Sequence, residues 1–243
     1  MKKQAGKRKL LPRILRQMAL LVGGVLLALV AISVLLVLLF RVVNPPTTAF
    51  MLQHSWQAWG NEELGPPHRE WVAWDDISPQ MRLAVVAAED QLFPRHRGFD
   101  FDSISAAIAD YRDGRRLRGA STISQQVAKN VFLSPRRSLM RKGVEAWFTV
   151  LIEQFWGKQR ILEVYLNVAR FGPEVYGVEA ASQRYFSKPA AQLQPAEAAL
   201  LAAVLPNPTR FRVDAPSDHV RSRQIWIQRQ MQSLGGPAYL SAL

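Results

Sequence analysis

The longest apolar stretch of the chain lies near its N-terminus and predicts a membrane-spanning helix. Residues 18–40 form a run of 23 positions without a charge. At 1.5 Å per residue, a helix of this length covers roughly 35 Å, more than the roughly 30 Å hydrocarbon core of a bilayer. A cleaved signal peptide is the alternative, but its apolar region is usually about 7–15 residues long. We therefore predict a retained transmembrane helix at 18–40, preceded by a basic cytoplasmic tail at 1–17.

The remaining pattern predicts a mostly α-helical domain at 76–243, joined to the membrane helix by a connector at 41–75. Few stretches alternate with period two, so little sheet is expected. Ser78 before Pro79, Asp102, and Thr122 with Gln125 at capping-box spacing are signals for helix starts. Residues 113–119 form a basic loop bounded by glycines, which we predict to be mobile. The predicted helices cover residues 79–88, 103–112, 122–132, 138–157, 158–168, 177–186, 195–205 and 217–234.

Two of these segments carry further expectations. The helix at 138–157 is the longest in the domain, and its apolar side chains on nearly every side predict that it is the central buried helix. The connector is expected to be extended, because Pro45 and Pro46 end the membrane helix. Its tryptophans either pack onto the domain or form an aromatic surface at the membrane interface, and both interpretations stay open. They are Trp56, Trp59, Trp71 and Trp74.

The net charge is +12, but its distribution argues against nucleic-acid binding. Residues 1–41 hold eight Lys/Arg and no acid, which leaves 23 Lys/Arg against 19 Asp/Glu in residues 42–243. Cations before the apolar run predict a cytoplasmic N-terminus and a body on the other side of the membrane. The chain has no cysteine, which excludes disulfides and cysteine metal sites. It also lacks the glycine-rich phosphate loops of nucleotide-binding proteins.

Two separated glutamates, Glu89 and Glu145, are the candidates for acid/base chemistry. Glu89 follows an apolar, alanine-rich run and falls near a helix end, where a side chain can face a loop and meet a substrate. Sugar chemistry needs one group to take a proton from a hydroxyl and another to manage the leaving group. The alternatives stay open: a solvated helix end for Glu89, and for Glu145 an ion pair with Arg141 at i,i+4.

Polar and cationic side chains accompany the glutamates. Gln125 and Lys129 are spaced at i,i+4, as are Gln126 and Asn130, so they lie on adjacent faces of one short helix. Clustered cations either form a charged surface or bind a diphosphate, whose developing charge they would stabilise. His96 is expected to be a structural hydrogen-bonding residue, because the chain has no paired-histidine metal motif. The cations are Lys129, Arg137, Arg141 and Lys142.

In this order, the clusters resemble the peptidoglycan glycosyltransferase family, which includes the N-terminal domains of bifunctional penicillin-binding proteins and the monofunctional transglycosylases. The resemblance covers about residues 65–215, and five ordered motifs are far more specific than any single one. We expect no transpeptidase domain to follow, which suits the monofunctional form, and Ser187 replaces the usual glycine of Y-F-G-K. The motifs are E-D-x-x-F-x-x-H-x-G at Glu89, Asp90, Phe93, His96 and Gly98; G-x-S-T-I-x-Q-Q-x-x-K-N at residues 119–130; R-K-x-x-E at Arg141, Lys142 and Glu145; K-x-x-I-L-E-x-Y-L-N at residues 158–167; and a continuation through Tyr176, Tyr185 and Glu197.

The resemblance implies a lysozyme-like, two-lobed helical domain preceded by one N-terminal transmembrane helix, with the domain on the periplasmic side of the bacterial inner membrane. It implies polymerisation of lipid II into glycan strands. The acceptor 4-hydroxyl attacks C1 of the donor MurNAc with inversion, and undecaprenyl diphosphate leaves. Glu89 would be the general base, and Glu145 would assist at the diphosphate or position the donor, through a metal ion or the neighbouring cations. Lys129, Arg137 and Arg141 would bind the diphosphate, and Asp90, Phe93, His96, Ser121, Thr122, Gln125, Gln126, Asn130 and Lys142 complete the predicted substrate site.

The resemblance also sets expectations about cofactors and partners. A divalent cation, magnesium or manganese, often helps this family, but the sequence shows no dedicated cage of oxygen ligands. The expected partners are lipid II, the growing strand, the membrane and proteins of cell-wall synthesis or division, and no nucleic acid. One rival is a lysozyme-like hydrolase with Glu89 as general acid, which would not need the cation cluster. A second rival is an anchored scaffold without activity, which would not explain the polar motifs.

Overall fold

The computed structural model describes residues 4–61, 64–114, 121–135 and 138–243, with the backbone alone for residues 4–14 and Ile108. The chain divides into two compact units, Met1–Val43 and Asn44–Leu243. Most of the predicted loop at 113–119 lies outside the described residues, as does Arg137.

The first unit contains one long helix, α1, which runs from Gln4 to Val42. Its apolar part, Leu15–Val42, is 28 residues long. Within the described part of the chain, this is the one helix that is long and apolar enough to cross a membrane. The span predicted at 18–40 falls inside it.

The second unit is built almost entirely from helices, which confirms the predicted mostly α-helical class. The one sheet among its described residues has two strands, and it pairs His68 with Val175 and Arg69 with Tyr176 in parallel. The elements are α2 (Ala49–Trp59), β1 (His68–Arg69), α3 (Pro79–Glu89), α4 (Phe101–Arg112), α5 (Ile123–Phe132), α6 (Leu139–Phe155), α7 (Lys158–Val168), β2 (Val175–Tyr176), α8 (Val178–Phe186), α9 (Pro195–Val204) and α10 (Asp218–Ser233), with 3₁₀ turns at Trp74–Asp76, Ala190–Gln192 and Gly236–Leu240.

Side-chain caps explain why most helix starts were predictable. The hydroxyl of Ser78 caps α3 next to Pro79, and Thr122 forms the predicted capping box with Gln125 at the start of α5. The cap of α4 was predicted wrongly, because Asp100 fills that position in place of Asp102. The Asp100 carboxylate accepts the backbone N–H of Ser103 at 2.9 Å and its hydroxyl at 2.5 Å, so the helix begins at Phe101.

The connector is not extended throughout, because α2 forms inside it. Thr48 caps this helix by accepting the backbone N–H of Met51 at 3.2 Å. Met51 and His54 are buried, and α2 packs against α5. The ring of His54 lies 3.0 Å from the hydroxyl of Tyr176 and 3.1 Å from the carbonyl oxygen of Gly65. Burial against the domain therefore stabilises α2. This helix was not predicted from the sequence, because an extended segment was expected after the proline pair.

The four connector tryptophans divide between the two interpretations left open by the sequence. Trp71 and Trp74 pack onto the domain, where arginine guanidinium carbons lie 5.4 and 3.9 Å from the ring centroids. Trp56 and Trp59 point outward from α2 and are 73% and 83% exposed. The first pair is structural, and the second pair forms part of an exposed apolar surface.

The prediction that α6 is the central buried helix was wrong. Phe148, Leu151 and Ile152 are buried on one face, but Val144, Trp147 and Val150 on the other are 39%, 40% and 51% exposed. Apolar composition shows that a face avoids water without showing what covers it, and here α5 and α7 cover one side alone. The central helices are α7 and α9, whose apolar residues are almost completely buried.

Six helices of the second unit form two groups. Helices α3, α9 and α10 pack against one another, and α5, α6 and α7 form the second group. Glu89 is the last residue of α3, whereas Glu145 lies within α6. The two candidate glutamates therefore come from different groups of helices.

Ser187, which replaces the usual family glycine, adopts a left-handed backbone conformation. Its φ of 54° and ψ of 40° place it in the αL region at the end of α8. Among the described residues, it is the one non-glycine with a positive φ. A side chain in this region costs roughly 1–2 kcal/mol, which glycine avoids.

Ser187→Gly is expected to raise the free energy of unfolding by about 0.5 kcal/mol, because relief of backbone strain exceeds the added entropy of the unfolded chain. Ser187→Ala keeps the Cβ atom and is the matched control, with nearly unchanged stability. Chemical denaturation of the full chain in detergent measures both. A Ser187→Gly variant less stable than the wild type would contradict the strain.

Candidate active site

Glu89 turns its carboxylate from the end of α3 toward α5. Its side chain is 14% exposed. Nε2 of Gln126 donates a hydrogen bond of 2.9 Å to Oε2 of Glu89. The hydroxyl of Tyr165 donates in turn to Oε1 of Gln126 at 3.3 Å. The carboxylate is therefore held in one orientation and largely withdrawn from water, unlike a solvated helix end.

Burial raises the pKa of Glu89 above its ordinary value. The hydrogen bond from Gln126 and the positive charges of Arg223 and Lys129 act in the opposite direction, without cancelling the rise. The charge of Asp90 adds to it. A general base is most effective when its pKa approaches the operating pH. Glu89 thus has the environment of a proton acceptor.

Asp90 and His96 brace the turn that follows Glu89. Nε2 of His96 lies 2.9 Å from both carboxylate oxygens of Asp90, and Nδ1 accepts the backbone N–H of Gly98 at 3.0 Å. Because Nδ1 accepts, Nε2 carries the proton that is donated to Asp90. Oδ2 of Asp90 also accepts the backbone N–H of Ile123 at 2.9 Å, which ties the turn to the start of α5. His96 has the structural hydrogen-bonding role that was predicted.

Other predicted substrate-binding residues support the same turn. Phe93 is fully buried, and Nζ of Lys158 lies 4.5 Å from the centre of its ring. The hydroxyl of Thr122 donates to the carbonyl oxygen of Gly98 at 2.7 Å. Gln125 completes the capping box by accepting the backbone N–H of Thr122 at 3.0 Å. Thr122 and Gln125 also line cavities, whereas Phe93 acts from within the core.

Glu145 is 2% exposed, and each of its oxygens meets a cation. Oε2 lies 3.3 Å from Nη1 of Arg141, and Oε1 lies 2.5 Å from Nζ of Lys142. The ion pair with Arg141 that was considered as an alternative is therefore present. These three residues also line a cavity of about 300 Å³, so the ion pairs belong to a site.

Lys129 reaches the same cavity from α5. Burial lowers its pKa, and the charges of Arg141 and Lys142 lower it further, although Glu145 and Glu89 oppose them. Three cations line this cavity, and the carboxylate of Glu145 is the one anionic group among the described residues that line it, so positive charge exceeds negative charge at this end of the site. An entering anion would be stabilised by charge-assisted hydrogen bonds.

Ser121 and Gln126 connect the two glutamates. Both residues line the cavity beside Glu145 and a second cavity of about 700 Å³ beside Glu89. The two cavities adjoin at these side chains and form one cleft, called the catalytic cleft below. Glu89 lies at one end and the three cations lie at the other.

The remaining residues of the fourth motif lie away from the catalytic cleft. Asn167 holds Val72 through two hydrogen bonds, with its Oδ1 accepting at 2.8 Å and its Nδ2 donating at 2.9 Å. Glu163 accepts the backbone N–H of Trp74 at 3.2 Å. These side chains hold the segment before α3 against α7, which helps to fix the position of α3 and of Glu89 at its end.

The site predicted from the sequence differs from the catalytic cleft in two ways: it includes a residue that does not line the cleft, and it lacks residues that do. Asn130 is half-buried and lines neither of the two cavities. The lining residues that were missed include Phe50, Arg223 and Trp226. Phe50 lies in the segment that was expected to be extended, and the other two lie on α10, where no motif marks them. A single arginine among many gave no usable signal.

The donors in the described part of the site do not fit a metal held by the protein. Among the described residues, no group of three or more His, Asp or Glu converges. Both oxygens of Glu145 are already engaged by Arg141 and Lys142, whose charges would repel a metal ion at that carboxylate. No reaction step is therefore assigned to a bound metal.

Comparisons with known proteins cover nearly the whole chain. A family model described as Transglycosylase matches residues 59–232. Three similar proteins are each named biosynthetic peptidoglycan transglycosylase. The protein of Klebsiella oxytoca is 58% identical over 209 residues, 85% of this chain and 86% of the relative. That of Cronobacter sakazakii is 52% identical over 228 residues, 93% of each. That of Xanthomonas axonopodis pv. citri is 52% identical over 238 residues, 98% of this chain and 97% of the relative.

Lys129→Met is expected to weaken binding of a prenyl diphosphate about tenfold or more, because a charge-assisted hydrogen bond is worth roughly 1.5–3 kcal/mol. Lys188→Met is the matched control, since Lys188 pairs with Glu197 at 2.6 Å and does not line the catalytic cleft. Titration of the full chain in detergent measures both affinities. Equal loss in the two variants would contradict a specific role for Lys129.

Proposed function

Because the chain belongs to the transglycosylase family and is a peptidoglycan glycosyltransferase of cell-wall biosynthesis, we propose that the catalytic cleft is where it polymerises lipid II. Lipid II and the glycan strand are its substrates. One observation carries the proposal: a desolvated carboxylate and an excess of cations lie at opposite ends of one cleft. Transfer of a sugar from a diphosphate needs both, a base for the acceptor and positive charge for the leaving group.

Glu89 is the proposed general base. It takes the proton of the acceptor 4-hydroxyl while the hydroxyl oxygen forms a bond to C1 of the donor MurNAc. The bond between C1 and the diphosphate oxygen breaks on the opposite side, so the configuration inverts and the diphosphate leaves with the electron pair. Gln126 supports this role by fixing the orientation of the carboxylate at 2.9 Å.

The cationic end of the catalytic cleft is proposed to bind the undecaprenyl diphosphate. Lys129, Arg141 and Lys142 would stabilise the charge that develops on the diphosphate oxygens. Glu145 aligns two of these cations through its ion pairs, which explains why it is buried among them. A divalent cation, where one takes part, would arrive with the diphosphate and not on protein ligands.

The same cations argue against the rival hydrolase. Cleavage of a glycan between two sugars releases a neutral hydroxyl, and that leaving group gives three clustered cations nothing to stabilise. A diphosphate leaving group carries negative charge, and cations 2.5 and 3.3 Å from Glu145 are already arranged to meet it. Transfer from a lipid diphosphate is therefore the chemistry that this charge distribution favours.

The proposed location is the bacterial inner membrane, with α1 crossing it, the N-terminus in the cytoplasm and the second unit in the periplasm. Cations before the apolar run support this orientation. Exposed apolar side chains support a second unit that rests against lipid, since Trp56, Trp59, Leu139 and Met140 are 73%, 83%, 93% and 82% exposed. Proteins of cell-wall synthesis or division are proposed as partners at the same membrane.

Glu89→Gln is expected to slow polymerisation of labelled lipid II by roughly 10²–10⁴-fold, the usual contribution of a general base. The amide keeps the shape of the side chain, so the fold should be unaffected. Electrophoresis of lysozyme-sensitive strands made by the full chain in detergent measures the rate.

Glu70→Gln is the matched control for this variant, because Glu70 is an exposed carboxylate that does not line the catalytic cleft. It should polymerise lipid II like the wild type. An active Glu89→Gln variant would remove Glu89 as the base. Shortening of added glycan without polymer formation would replace the transferase by the hydrolase.

Removal of residues 1–43 is expected to lower polymerisation of lipid II in vesicles and to spare it in detergent micelles. The reason is that α1 concentrates the enzyme at the surface that holds the substrate. Replacing α1 by an unrelated transmembrane helix should restore the vesicle rate. Equal rates in vesicles with and without residues 1–43 would deny α1 a role in substrate access.

A further inference from the structure

Arg223 reaches Glu89 from α10, which lies outside every recognised motif. Nη2 of Arg223 is 3.6 Å from Oε1 of Glu89 and 3.4 Å from the carbonyl oxygen of Ala88. Gln126 engages the other oxygen, Oε2. Each carboxylate oxygen thus has a partner from a different helix. We propose that Arg223 is a positioning residue that holds the Glu89 carboxylate ionised and aimed into the catalytic cleft.

The fold gains little from Arg223. Its Nε is buried and has no hydrogen-bond partner among the described residues, and its contact with the carbonyl oxygen of Ala88 is long at 3.4 Å. A buried donor without a partner destabilises the folded state. A methionine would fill similar space without that cost. The placement of this guanidinium is therefore explained by Glu89 better than by stability.

Helix α10 is fastened firmly enough to hold Arg223 in place. Val220, Ile227 and Met231 are buried along one face, and the helix packs against α9 and α3. Beyond Glu89, Nε2 of Gln91 donates to Oε1 of Gln230 at 3.1 Å. These contacts lie on both sides of Arg223, so its position relative to Glu89 is set before substrate binds.

The other ionisable groups around Glu89 do not replace Arg223. Asp90, at the end of α3, adds negative charge, and Tyr165 of α7 stays neutral because burial raises its pKa well above the ordinary value. Lys129 of α5 is attracted to Glu145 more strongly than to Glu89. Among the described residues, Arg223 is the cation in an ion pair with Glu89.

The direction of the pH effect follows from these charges. Burial raises the pKa of Glu89, and Arg223 opposes the rise. Without this cation the pKa rises further, so a higher pH is needed to produce the basic form. Activity is then lost below that pKa and recovered above it. An opposite charge at this distance typically lowers a carboxyl pKa by about 1–3 units.

The test is the pH dependence of kcat/KM for lipid II polymerisation by the full chain in detergent. In Arg223→Met the acidic limb of this pH profile should shift to higher pH by about one unit. At a pH on that limb, kcat/KM should be about tenfold lower than in the wild type, and it should recover at high pH. Arg223→Lys should restore the limb toward the wild-type position. Arg221→Met, an exposed arginine on the same helix, should match the wild type.

Several outcomes would overturn the proposal. They are an unmoved acidic limb in Arg223→Met, an equal loss at every pH, or a raised KM with the limb unmoved. Thermal unfolding of each variant identifies a loss that comes from misfolding. If Arg223→Met is misfolded, Arg223→Lys provides the test. This variant keeps the positive charge, so when it is folded the acidic limb of its pH profile must stay near the wild-type position.

This inference rests on the proposed role of Glu89, and the two can fail separately. An active Glu89→Gln variant would remove the base itself. An inactive Glu89→Gln variant, together with an unchanged pH profile in Arg223→Met, would remove Arg223 alone.

Discussion

The carboxylate of Asp90 is the link on which the catalytic cleft depends. It accepts the backbone N–H of Ile123, 33 residues further along the chain, and the ring N–H of His96. The end of α3 is thereby fixed to the start of α5, so Glu89 and Gln126 face each other. Gly98 completes this arrangement with a φ of 87°, and a Cβ there would lie 2.8 Å from Cγ2 of Thr149. The residues adjacent to the proposed base are thus the ones that hold the helices together.

The two glutamates show how one type of side chain serves two purposes. Glu89 meets an amide and one distant guanidinium, so burial dominates and its basicity rises. Glu145 meets Arg141 and Lys142 at short range, which suits a carboxylate that aligns cations. The neighbours of each carboxylate, contributed by different helix groups, therefore separate the proposed base from the proposed organiser of the diphosphate site.

Local signals in the sequence were sufficient for most of the fold. Ser78, Thr122 and Ser138 each cap a helix through contacts within three residues, and such contacts can be predicted from spacing. The failures depended on distant contacts. Helix α2 is stabilised through His54 and Tyr176, which are 122 residues apart, and no local pattern reports that contact. The exposed face of α6 looked like core because composition alone does not show whether an apolar side chain is covered.

The candidate site shows the same contrast between local signals, which the sequence reveals, and distant contacts, which it does not. The family resemblance identified Asp90, Thr122 and Gln125 as site residues. It did not predict the hydrogen bonds by which they stabilise the turn after Glu89. Arg223 contacts a carbonyl 135 residues earlier in the chain, so nothing in its surrounding sequence connects it with Glu89. Residues that act through a partner on another helix are the ones that sequence reasoning misses.

The charges at the cationic end of the cleft do not cancel, so ions in the surrounding solution should affect this end of the site. Lys129, Arg141 and Lys142 face the single well-placed carboxylate of Glu145. Simple salt screens exposed charges over a Debye length of about 8 Å at physiological ionic strength, but it screens buried groups much less. Monovalent salt should therefore screen the half-exposed Lys142 more than the buried Glu145, whereas multivalent anions such as inorganic diphosphate would compete directly with the proposed lipid-linked substrate.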